Sequence, residues 1–386
     1  LNGSNGFTLT SSIAHDCFGH SVAGTEDVNG DGKPDLIVGA YNQNHAYVIF
    51  GADHFPATLD TSSLNGANGF KLTSSSESFG ISVAGTGDIN GDGKPDLIVG
   101  TTMTTAPSII HYAHIIFGAD HFPAILDTSS LNGTNGFTLS SSSGWFGHSV
   151  AGTEDVNGDG KPDLIVGTGI ANAAYVIFGA NHFPATLDTS SLNGSNGFKL
   201  TSSSKGFGKS VAGTGDINGD GKPDLIVGSE SDIENEAYVI FGTTAFPAIF
   251  DTSRLNGNDG FTLTTSGLSW FGYSVAGTGD INGDGKPDLI VGACGANKSY
   301  VIFGSATFPA AVDTSSLNGA NGFILTSSSR CFGASVAGAG DVNGDNIPDL
   351  IVGASWANKA YVIFGQTHQN YDAVGLLPNE SVVEHA

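Results

Sequence analysis

The feature that most constrains this sequence is a nine-residue stretch, Asp27-Val28-Asn29-Gly30-Asp31-Gly32-Lys33-Pro34-Asp35, which occurs in six close copies. The other copies begin at Asp88, Asp155, Asp216, Asp280 and Asp341, at intervals of 61 to 67 residues. Repetition at a nearly fixed period indicates an array of similar structural units rather than a set of unrelated domains. The sequence therefore predicts six units that together form one domain.

Each copy carries oxygen-bearing side chains at positions 1, 3, 5 and 9, and most copies have glycine at positions 4 and 6. Ca²⁺ takes six to eight oxygen ligands, which alternate side chains of a curled loop can supply, with the main-chain carbonyl of Lys33 completing the first shell. The alternative is a plain polar turn, which six copies make improbable. An EF-hand would need an acid at position 12, where Val38 stands. The sequence therefore predicts a calcium loop between two strands.

The residues around each loop predict four antiparallel strands, A to D. In the first unit these are Phe18 to Gly24, Asp35 to Ala40, Ala46 to Gly51 and Gly69 to Ser74, and a nearly repeated connection, Ala52 to Asn68, precedes strand D. Short apolar runs predict strands B and C, and alternation of apolar and polar residues predicts strand D. A four-stranded antiparallel meander is one blade of a β-propeller.

The two ends of the array complement each other. An additional strand D, Gly6 to Ser11, opens the chain, and the last unit stops after strand C at Gly365. We therefore predict an all-β, six-bladed propeller over residues 1–365, closed by the N-terminal strand, which completes the last blade and removes the free edges. Residues 366–386 lack periodicity and are predicted to be a poorly ordered tail or the stub of a longer protein.

Composition limits the classes of function. The formal charge is −24 and no cluster of Lys or Arg occurs, which disfavours nucleic acid as a partner. No apolar run approaches the roughly 18 residues of a membrane span, so membrane insertion is not expected. Catalytic motifs such as Gly-x-Ser-x-Gly and His-Glu-x-x-His are absent, so the sequence does not predict an enzyme.

Three cysteines are too few for a disulfide framework. Cys17 and Cys331 each precede the Phe-Gly of their units, the first and the last, which would be neighbours in a closed ring. Two alternatives remain open from the sequence. These cysteines are free or buried thiols, or they form a bridge where the ring closes.

The motifs Phe-Gly-x-Ser-Val-Ala-Gly, Asp-x-Asn-x-Asp-x-x-x-Asp, Leu-Ile-Val-Gly-Ala and Tyr-Val-Ile-Phe-Gly resemble the FG-GAP repeat of the integrin α-subunit head and of large bacterial surface proteins. This resemblance implies a calcium-binding propeller of the adhesion type, secreted or at the cell surface, with up to six ions. The implied ligands are Asp27, Asn29, Asp31, Asp35, Asp88, Asn90, Asp92, Asp96, Asp155, Asn157, Asp159, Asp163, Asp216, Asn218, Asp220, Asp224, Asp280, Asn282, Asp284, Asp288, Asp341, Asn343, Asp345 and Asp349.

Two departures from the family pattern qualify that assignment. Integrin heads have seven blades with calcium in only some of them, so their mode of partner docking does not carry over to six units. The sixth loop has Asn346-Ile347 where the others have Gly-Lys, and asparagine tolerates the left-handed backbone conformation that this position needs.

Meander topology places the A–B and C–D connections on one face and the B–C and D–A connections on the other. The first face is nearly copied between units, whereas the second, here called the variable face, differs in length and chemistry. Binding residues commonly lie on loops of a rigid scaffold, so we predict that this face binds a protein or glycan ligand. The alternatives are a calcium-stabilised spacer of a larger surface protein, and a chain that acts with another subunit. Candidate ligand residues are His20, Trp145, His148, Lys209, Trp270, Tyr273 and Trp356.

Overall fold

A computed structural model of the chain describes residues 1–102, 110–230, 235–267 and 269–367, together with the backbone of Val374–Leu376. These residues form β-strands and single turns of 3₁₀-helix, without an α-helix, so the all-β prediction is confirmed for the part that is described. The chain divides into two compact units, which we call unit 1 (Leu1–Glu154, Gly160–Ala171 and Tyr175–Lys199) and unit 2 (Asp155–Asp159, Asn172–Ala174 and Leu200–Ala386). No described helix is both long and apolar enough to cross a bilayer.

The strands recur in the same sequence order in every repeat. Those up to the end of the third repeat are β1 Thr8–Thr10, β2 Val22–Thr25, β3 Asp35–Ala40, β4 His45–Ile49, β5 Thr58–Asp60, β6 Gly69–Thr73, β7 Val83–Gly87, β8 Asp96–Gly100, β9 His111–Ile116, β10 Ile125–Asp127, β11 Gly136–Ser141, β12 Phe146–Gly152, β13 Leu164–Thr168, β14 Ala173–Ile177, β15 Thr186–Asp188 and β16 Gly197–Thr201.

The remaining strands are β17 Phe207–Gly215, β18 Asp224–Glu230, β19 Asn235–Ile240, β20 Ile249–Asp251, β21 Gly260–Thr264, β22 Phe271–Gly279, β23 Asp288–Ala293, β24 Lys298–Ile302, β25 Ala311–Asp313, β26 Gly322–Thr326, β27 Phe332–Gly340, β28 Asp349–Ala354, β29 Lys359–Ile363 and β30 Val374–Leu376. The 3₁₀ turns are Tyr41–Gln43, Thr61–Ser63, Thr128–Ser130, Thr189–Ser191, Thr252–Arg254, Cys294–Ala296, Thr314–Ser316 and Ser355–Ala357.

Each complete sheet contains the predicted meander and one strand more. In unit 1 the sheet of the first repeat has the order β10-β6-β4-β3-β2, and that of the second has the order β15-β11-β9-β8-β7. In unit 2 the sheet of the fourth repeat has the order β17-β18-β19-β21-β25, and that of the fifth has the order β22-β23-β24-β26-β30. Strands A to D pair antiparallel, as predicted. The fifth strand runs parallel to strand D and comes from the connection of the next repeat. The prediction of four strands per blade therefore missed one strand.

The fifth strand follows from the connection that is repeated nearly unchanged. Three residues of the connection that end at its aspartate pair with strand D, as Ile125–Asp127 do. The aspartate then caps the 3₁₀ turn by accepting a hydrogen bond from a serine amide, as Asp127 does from Ser129. The phenylalanine of the same connection stacks on the phenylalanine of that strand D, with ring centroids 4.3 Å apart for Phe122 and Phe70. The connection therefore covers the edge that strand D would otherwise expose.

The apolar strands B, C and D form the core within each unit, and the small residues of strand A permit close approach of neighbouring sheets. In unit 2, β17, β22 and β27 lie side by side. A Cβ atom at Gly277 would lie 2.7 Å from the carbonyl oxygen of Gly213, so only glycine fits there without movement of the backbone. This contact explains why strand A consists mainly of glycine, alanine and serine.

The terminal strands bear on ring closure. β1 pairs parallel with β5, with Thr8 opposite Thr58. The strand D of the first repeat, β6, pairs in the same way with β10, with Lys71 opposite Ile125, so β1 behaves as a strand D. Within the described residues β29 pairs with β28, and the predicted hydrogen-bonded pairing of β29 with β1 is not present. The predicted tail contributes β30, which pairs with β26 where other repeats place a connection strand. Residues 368–373 and 377–386 of that tail lie outside the described residues.

Candidate functional site

The first calcium-type loop is curled so that its polar side chains point toward its own backbone amides. The amide of Asp31 donates to Asp27 Oδ1 and to Asn29 Oδ1, both at 2.9 Å, and the amide of Gly32 donates to Asp27 Oδ2 at 2.6 Å. Gly30 and Gly32 adopt φ values of 74° and 88°, which glycine accepts without steric cost. Oxygens from positions 1 and 3 thus converge on one point within an exposed loop.

The same arrangement recurs in the other loops. The amides of Asp92, Asp220, Asp284 and Asp345 each donate to two side-chain oxygens, as the amide of Asp31 does. In the third loop the segment Asp155–Asp159 has this pattern too. Asn346 of the sixth loop has φ 68°, and its amide donates to Asp341 Oδ2 at 2.7 Å, so asparagine fulfils the role of glycine at this position, as predicted.

Position 9 is buried, whereas the other three predicted ligand positions are at least partly exposed except for Asn282 in the fifth loop. Asp35 is 1% exposed, and its two carboxylate oxygens accept hydrogen bonds from the amides of Val28 (3.0 Å) and Gly51 (2.8 Å). Asp96, Asp224, Asp288 and Asp349 make the equivalent pair of bonds. This aspartate is itself the first residue of strand B. Its two hydrogen bonds therefore fasten the calcium-type loop to the start of strand B and to the end of strand C.

Burial has an electrostatic consequence for these aspartates. Desolvation raises the pKa of Asp35 to about 6 and that of Asp96 to about 8, and the carboxylates at positions 1 and 5 of the same loop add to the effect. The two backbone hydrogen bonds act in the opposite direction, because they favour the ionised form. Position 9 is thus held in the fold by amide donors, in a region of concentrated negative charge.

The donor set of each loop suits a hard cation, because it contains only carboxylate and carboxamide oxygens with main-chain carbonyls nearby. Among the described residues, however, no group of three or more His, Cys, Asp or Glu side chains has the arrangement of a metal site. In the first loop, the carboxylate oxygens of Asp27 and Asp31 accept hydrogen bonds from amides of the loop itself. Calcium binding by these residues therefore stays a prediction.

On the variable face, the structure brings three of the predicted ligand residues together in unit 2. Trp270 stacks on Tyr273, with ring centroids 6.2 Å apart and planes inclined by 23°. Trp356 lies at the same centroid distance from Trp270, with its plane nearly perpendicular at 87°. Trp356 is 59% exposed, which is high for so large an apolar side chain.

The other predicted ligand residues do not join this cluster in the described contacts. In unit 1, Trp145 lies 6.1 Å from His148 between ring centroids, and the exposed His20 packs at 4.7 Å against Tyr41. In unit 2, Lys209 forms a 3.1 Å ion pair with Glu230. Residues 103–109 and 231–234, which belong to the B–C connections of the second and fourth repeats, lie outside the described residues.

The residue before each Phe-Gly has a left-handed backbone in all six repeats. The φ values are 55° for Cys17, 56° for Ser78, 57° for Trp145, 73° for Gly206, 50° for Trp270 and 58° for Cys331. A non-glycine residue in this region costs on the order of 1 kcal/mol and persists only where its surroundings enforce it. The local turn thus fixes the direction in which Trp145 and Trp270 leave the backbone.

The structure matches neither sequence-based alternative fully, because Cys17 is free but Cys331 is bridged to a third cysteine. The structure joins Cys294 to Cys331 in a disulfide, whereas Cys17 is free and exposed, so the alternative of a Cys17–Cys331 bridge is excluded. Cys294 begins the 3₁₀ turn after strand B of the fifth repeat, and Cys331 precedes the Phe-Gly of the sixth. Consecutive repeats place these two loops together. The signal was present in the sequence as two cysteines on the variable face of neighbouring repeats.

Family comparison agrees with the repeated geometry. The model of the FG-GAP repeat matches six segments, residues 18–49, 79–108, 146–177, 207–239, 271–302 and 332–371. These segments contain strands A and B of the six repeats and, except in the second repeat, all or nearly all of strand C. Together they make up more than half of the sequence. The chain therefore belongs to the FG-GAP repeat family.

Individual relatives are integrin alpha subunits. The chain is 28% identical to integrin alpha-5 of Xenopus laevis over 238 residues, which is 58% of this chain and 21% of that protein. It is 31% identical to integrin alpha-7 of Homo sapiens over 240 residues, 61% of this chain and 18% of the relative. Integrin alpha pat-2 of Caenorhabditis elegans is 31% identical over 230 residues, 56% and 18% respectively. The chain thus spans about a fifth of the length of these relatives.

Proposed function

We propose that this chain is a calcium-stabilised, six-bladed propeller that acts outside the cell in adhesion, by binding a protein or glycan ligand through its variable face. The observation that carries the recognition role is the cluster of Trp270, Tyr273 and Trp356, whose rings remain partly open to solvent. Trp270 and Trp356 lie outside the strands, and Tyr273 lies in β22. Tryptophan and tyrosine are the residues most enriched at energetically important positions of binding surfaces. The integrin alpha relatives support an adhesion context and do not favour catalysis.

Ring closure by β1 is supported by the terminal repeats. Thr10 donates a 3.0 Å hydrogen bond to Asp60 as Thr73 does to Asp127 at 2.7 Å, so β1 has the side-chain contacts of a strand D as well as its register. Val362 of β29 is 47% exposed, whereas the equivalent Val48 of the first repeat is fully buried. A closed ring would cover this surface with β1 and would leave no open sheet edge.

Calcium would be held by the exposed oxygens at positions 1, 3 and 5, those of Asp27, Asn29 and Asp31 in the first loop. Ca²⁺ would neutralise two charges in a loop that carries three aspartates. The buried aspartate at position 9 would keep the loop in place whether or not an ion is bound, because its hydrogen bonds run to the backbone. Six ions would halve the formal charge of −24.

The second candidate function is a spacer without a ligand of its own. It is favoured by the calcium-type loops and connections, which are copied from repeat to repeat as a stacking scaffold would require. In that case the exposed tryptophans would contribute only to the packing of their own loops. The two functions differ in whether substitution of the aromatic cluster abolishes any binding.

The test is to screen the calcium-loaded chain against immobilised glycans and cell-surface proteins, beside a Trp270→Ala/Trp356→Ala variant and a Trp145→Ala control. Trp145 is itself a predicted ligand residue, so this variant tests whether recognition belongs to the cluster: Trp145 has the same left-handed backbone before a Phe-Gly but lies outside the cluster. A ligand that the double variant loses and the control keeps would support recognition through this cluster. Absence of any ligand, with calcium still raising the unfolding temperature, would favour the spacer.

A further inference from the structure

An open pocket of about 570 Å³ lies on the variable face of unit 2. Trp270 and Trp356 form two of its walls, and the Cys294–Cys331 disulfide, which is buried, fixes the loops on which the pocket is built. Its size falls within the range of about 300–1,000 Å³ for small-ligand sites. The covalent link between two consecutive repeats gives the pocket a defined shape.

The polar groups of the pocket are donors. Arg330 stacks on Trp356, with its guanidinium carbon 5.2 Å from the ring centroid, and has no hydrogen bond or ion pair among the described residues. Asn297 Oδ1 accepts a 2.7 Å hydrogen bond from the amide of Cys331, which leaves its Nδ2 to donate to a ligand. A guanidinium that is oriented by stacking and otherwise unpaired is well suited to bind a carboxylate with two parallel hydrogen bonds.

The charge of the pocket contrasts with that of the chain. The sequence contains 37 acidic residues and only two arginines, Arg254 and Arg330, yet no aspartate or glutamate lines this pocket. A cationic ligand would therefore find no counter-charge here, whereas an anionic group would find Arg330. The surrounding net negative charge disfavours a polyanion such as nucleic acid, so the pocket favours a ligand with few charges.

The two indole rings define the rest of the ligand. Their planes are nearly perpendicular, so they offer two apolar surfaces that meet at a corner. The C–H face of a pyranose ring stacks on an indole, while its hydroxyl groups can accept a hydrogen bond from the side-chain amide of Asn297, which lines the same pocket. We propose that this pocket binds a carboxylate-bearing saccharide, with the carboxylate on Arg330 and a sugar ring on Trp356. This inference rests on the proposed recognition through the variable face, and it specifies the ligand class.

The test uses a panel of oligosaccharides that carry glucuronate, iduronate or sialate, each beside a twin whose carboxyl group is reduced to an alcohol. The calcium-loaded full chain is compared with Arg330→Gln, Trp356→Ala and the matched control Arg254→Gln. Arg254 also stacks on an aromatic ring, with its guanidinium carbon 5.3 Å from the centroid of Phe250, but it lies outside the pocket. Thermal unfolding verifies that each variant is folded.

We expect a carboxylated member to bind, and its reduced twin to bind about tenfold more weakly or worse, because a charge-assisted hydrogen bond is lost. Arg330→Gln and Trp356→Ala should weaken binding to a similar extent, and Arg254→Gln should not. Equal binding of the twins, binding unchanged in Arg330→Gln, or no binding of any carboxylated sugar would overturn the inference. A protein or neutral-glycan ligand that is lost in Trp356→Ala would overturn it while sustaining the proposed function, and absence of every ligand would refute both.

Discussion

His114 shows how a single departure from the repeated pattern changes the physical behaviour of a blade. The equivalent residue of strand C is tyrosine in the other repeats, and His114 keeps its edge contact, 5.5 Å between ring centroids with Phe79, as Tyr175 does with Phe146. Its ring nitrogens lie 3.1 Å from Thr138 Oγ1 and 3.4 Å from Ser76 Oγ. Burial lowers the pKa of His114 to about 4, despite the opposing charge of Asp127.

This shift predicts an acid-sensitive contribution to stability. Because the pKa of His114 is lower in the folded chain than in the unfolded one, protons bind preferentially to the unfolded state as the pH falls from about 6.5 toward 4. His114→Tyr removes this penalty and restores the residue of the other repeats. We expect the difference in free energy of unfolding between the variant and the wild type to grow by roughly 2 kcal/mol in favour of the variant as the pH falls from 7 to 5. Urea unfolding at both pH values measures the difference, and a gap independent of pH would contradict it.

The disulfide between two loops of unit 2 gives a second prediction at this scale. Closing a loop of 37 residues restricts the unfolded chain and should stabilise the fold by roughly 3–4 kcal/mol. We expect Cys294→Ala/Cys331→Ala to lower the free energy of unfolding by about that amount, and Cys17→Ala to leave it nearly unchanged, because Cys17 is free and exposed. Urea unfolding without a reductant, together with mass spectrometry of tryptic peptides, provides the measurement. Equal effects of the two changes would be inconsistent with the bridge.

At the scale of elements, the loop between strands A and B and the connection before strand D have different tasks. The loop gathers oxygen atoms at positions 1, 3 and 5. Its position 9, the first residue of strand B, accepts hydrogen bonds from the amide of Val28 in the loop and from the amide of Gly51 just after strand C. The connection lays a parallel strand on the strand D of the preceding repeat. Each repeat is therefore stabilised partly by its successor, as is typical of repeat proteins.

Calcium binding by the loops predicts a stability that depends on the ion. Sites of extracellular modules have dissociation constants on the order of 10⁻⁴ to 10⁻³ M, so about 10 mM Ca²⁺ should add roughly 1–3 kcal/mol per occupied site. We expect the unfolding temperature to rise with millimolar calcium and to fall in a chelator. Asp92→Asn should remove the contribution of the second loop, as seen by one fewer ion in equilibrium dialysis. Identical thermal scans in calcium and in chelator would refute the calcium assignment.

At the scale of the whole molecule, closure of the proposed ring depends on the outer edge of β29, the edge that does not pair with β28. The equivalent strand of the fifth repeat, β24, has strand D β26 as its antiparallel neighbour. The proposed ring would supply β1 to β29 in the same way, since β1 already makes the contacts of a strand D with β5. Hydrogen bonds to a new neighbour protect strand amides from exchange with solvent.

Amide hydrogen exchange tests this closure. In the intact chain we expect the amides of β29 to be protected to a degree similar to those of β24. Deletion of residues 1–11 should remove the protection in β29 and leave that in β24, because β24 keeps its own strand D. If the β29 amides of the intact chain exchange as rapidly as those of an unpaired edge, the six-bladed closed ring is ruled out.

Strand order could be predicted from the sequence because its physical determinants are local and recur in each repeat. Asp35 begins strand B, apolar runs mark strands B and C, and the glycines of the calcium-type loop fix its curl, so strands B to D were located within two residues. Strand A of the first repeat was predicted too early, because it begins at Val22 rather than Phe18. The candidate aromatic residues Trp270, Tyr273 and Trp356 were found as departures from the repeat on one face. Such departures are visible in the chain alone.

The tertiary structure decided which of these departures meet. Whether Cys331 pairs with Cys294 or Cys17, whether Trp356 lies against Trp270, and whether Arg330 lies open in a pocket all depend on contacts between segments far apart in sequence. The fifth strand of a sheet also forms only because the connection of one repeat lies beside strand D of the repeat before it. Periodicity reports how each segment folds, because that is governed by near neighbours, but side-chain partners across repeats are chosen by packing in three dimensions.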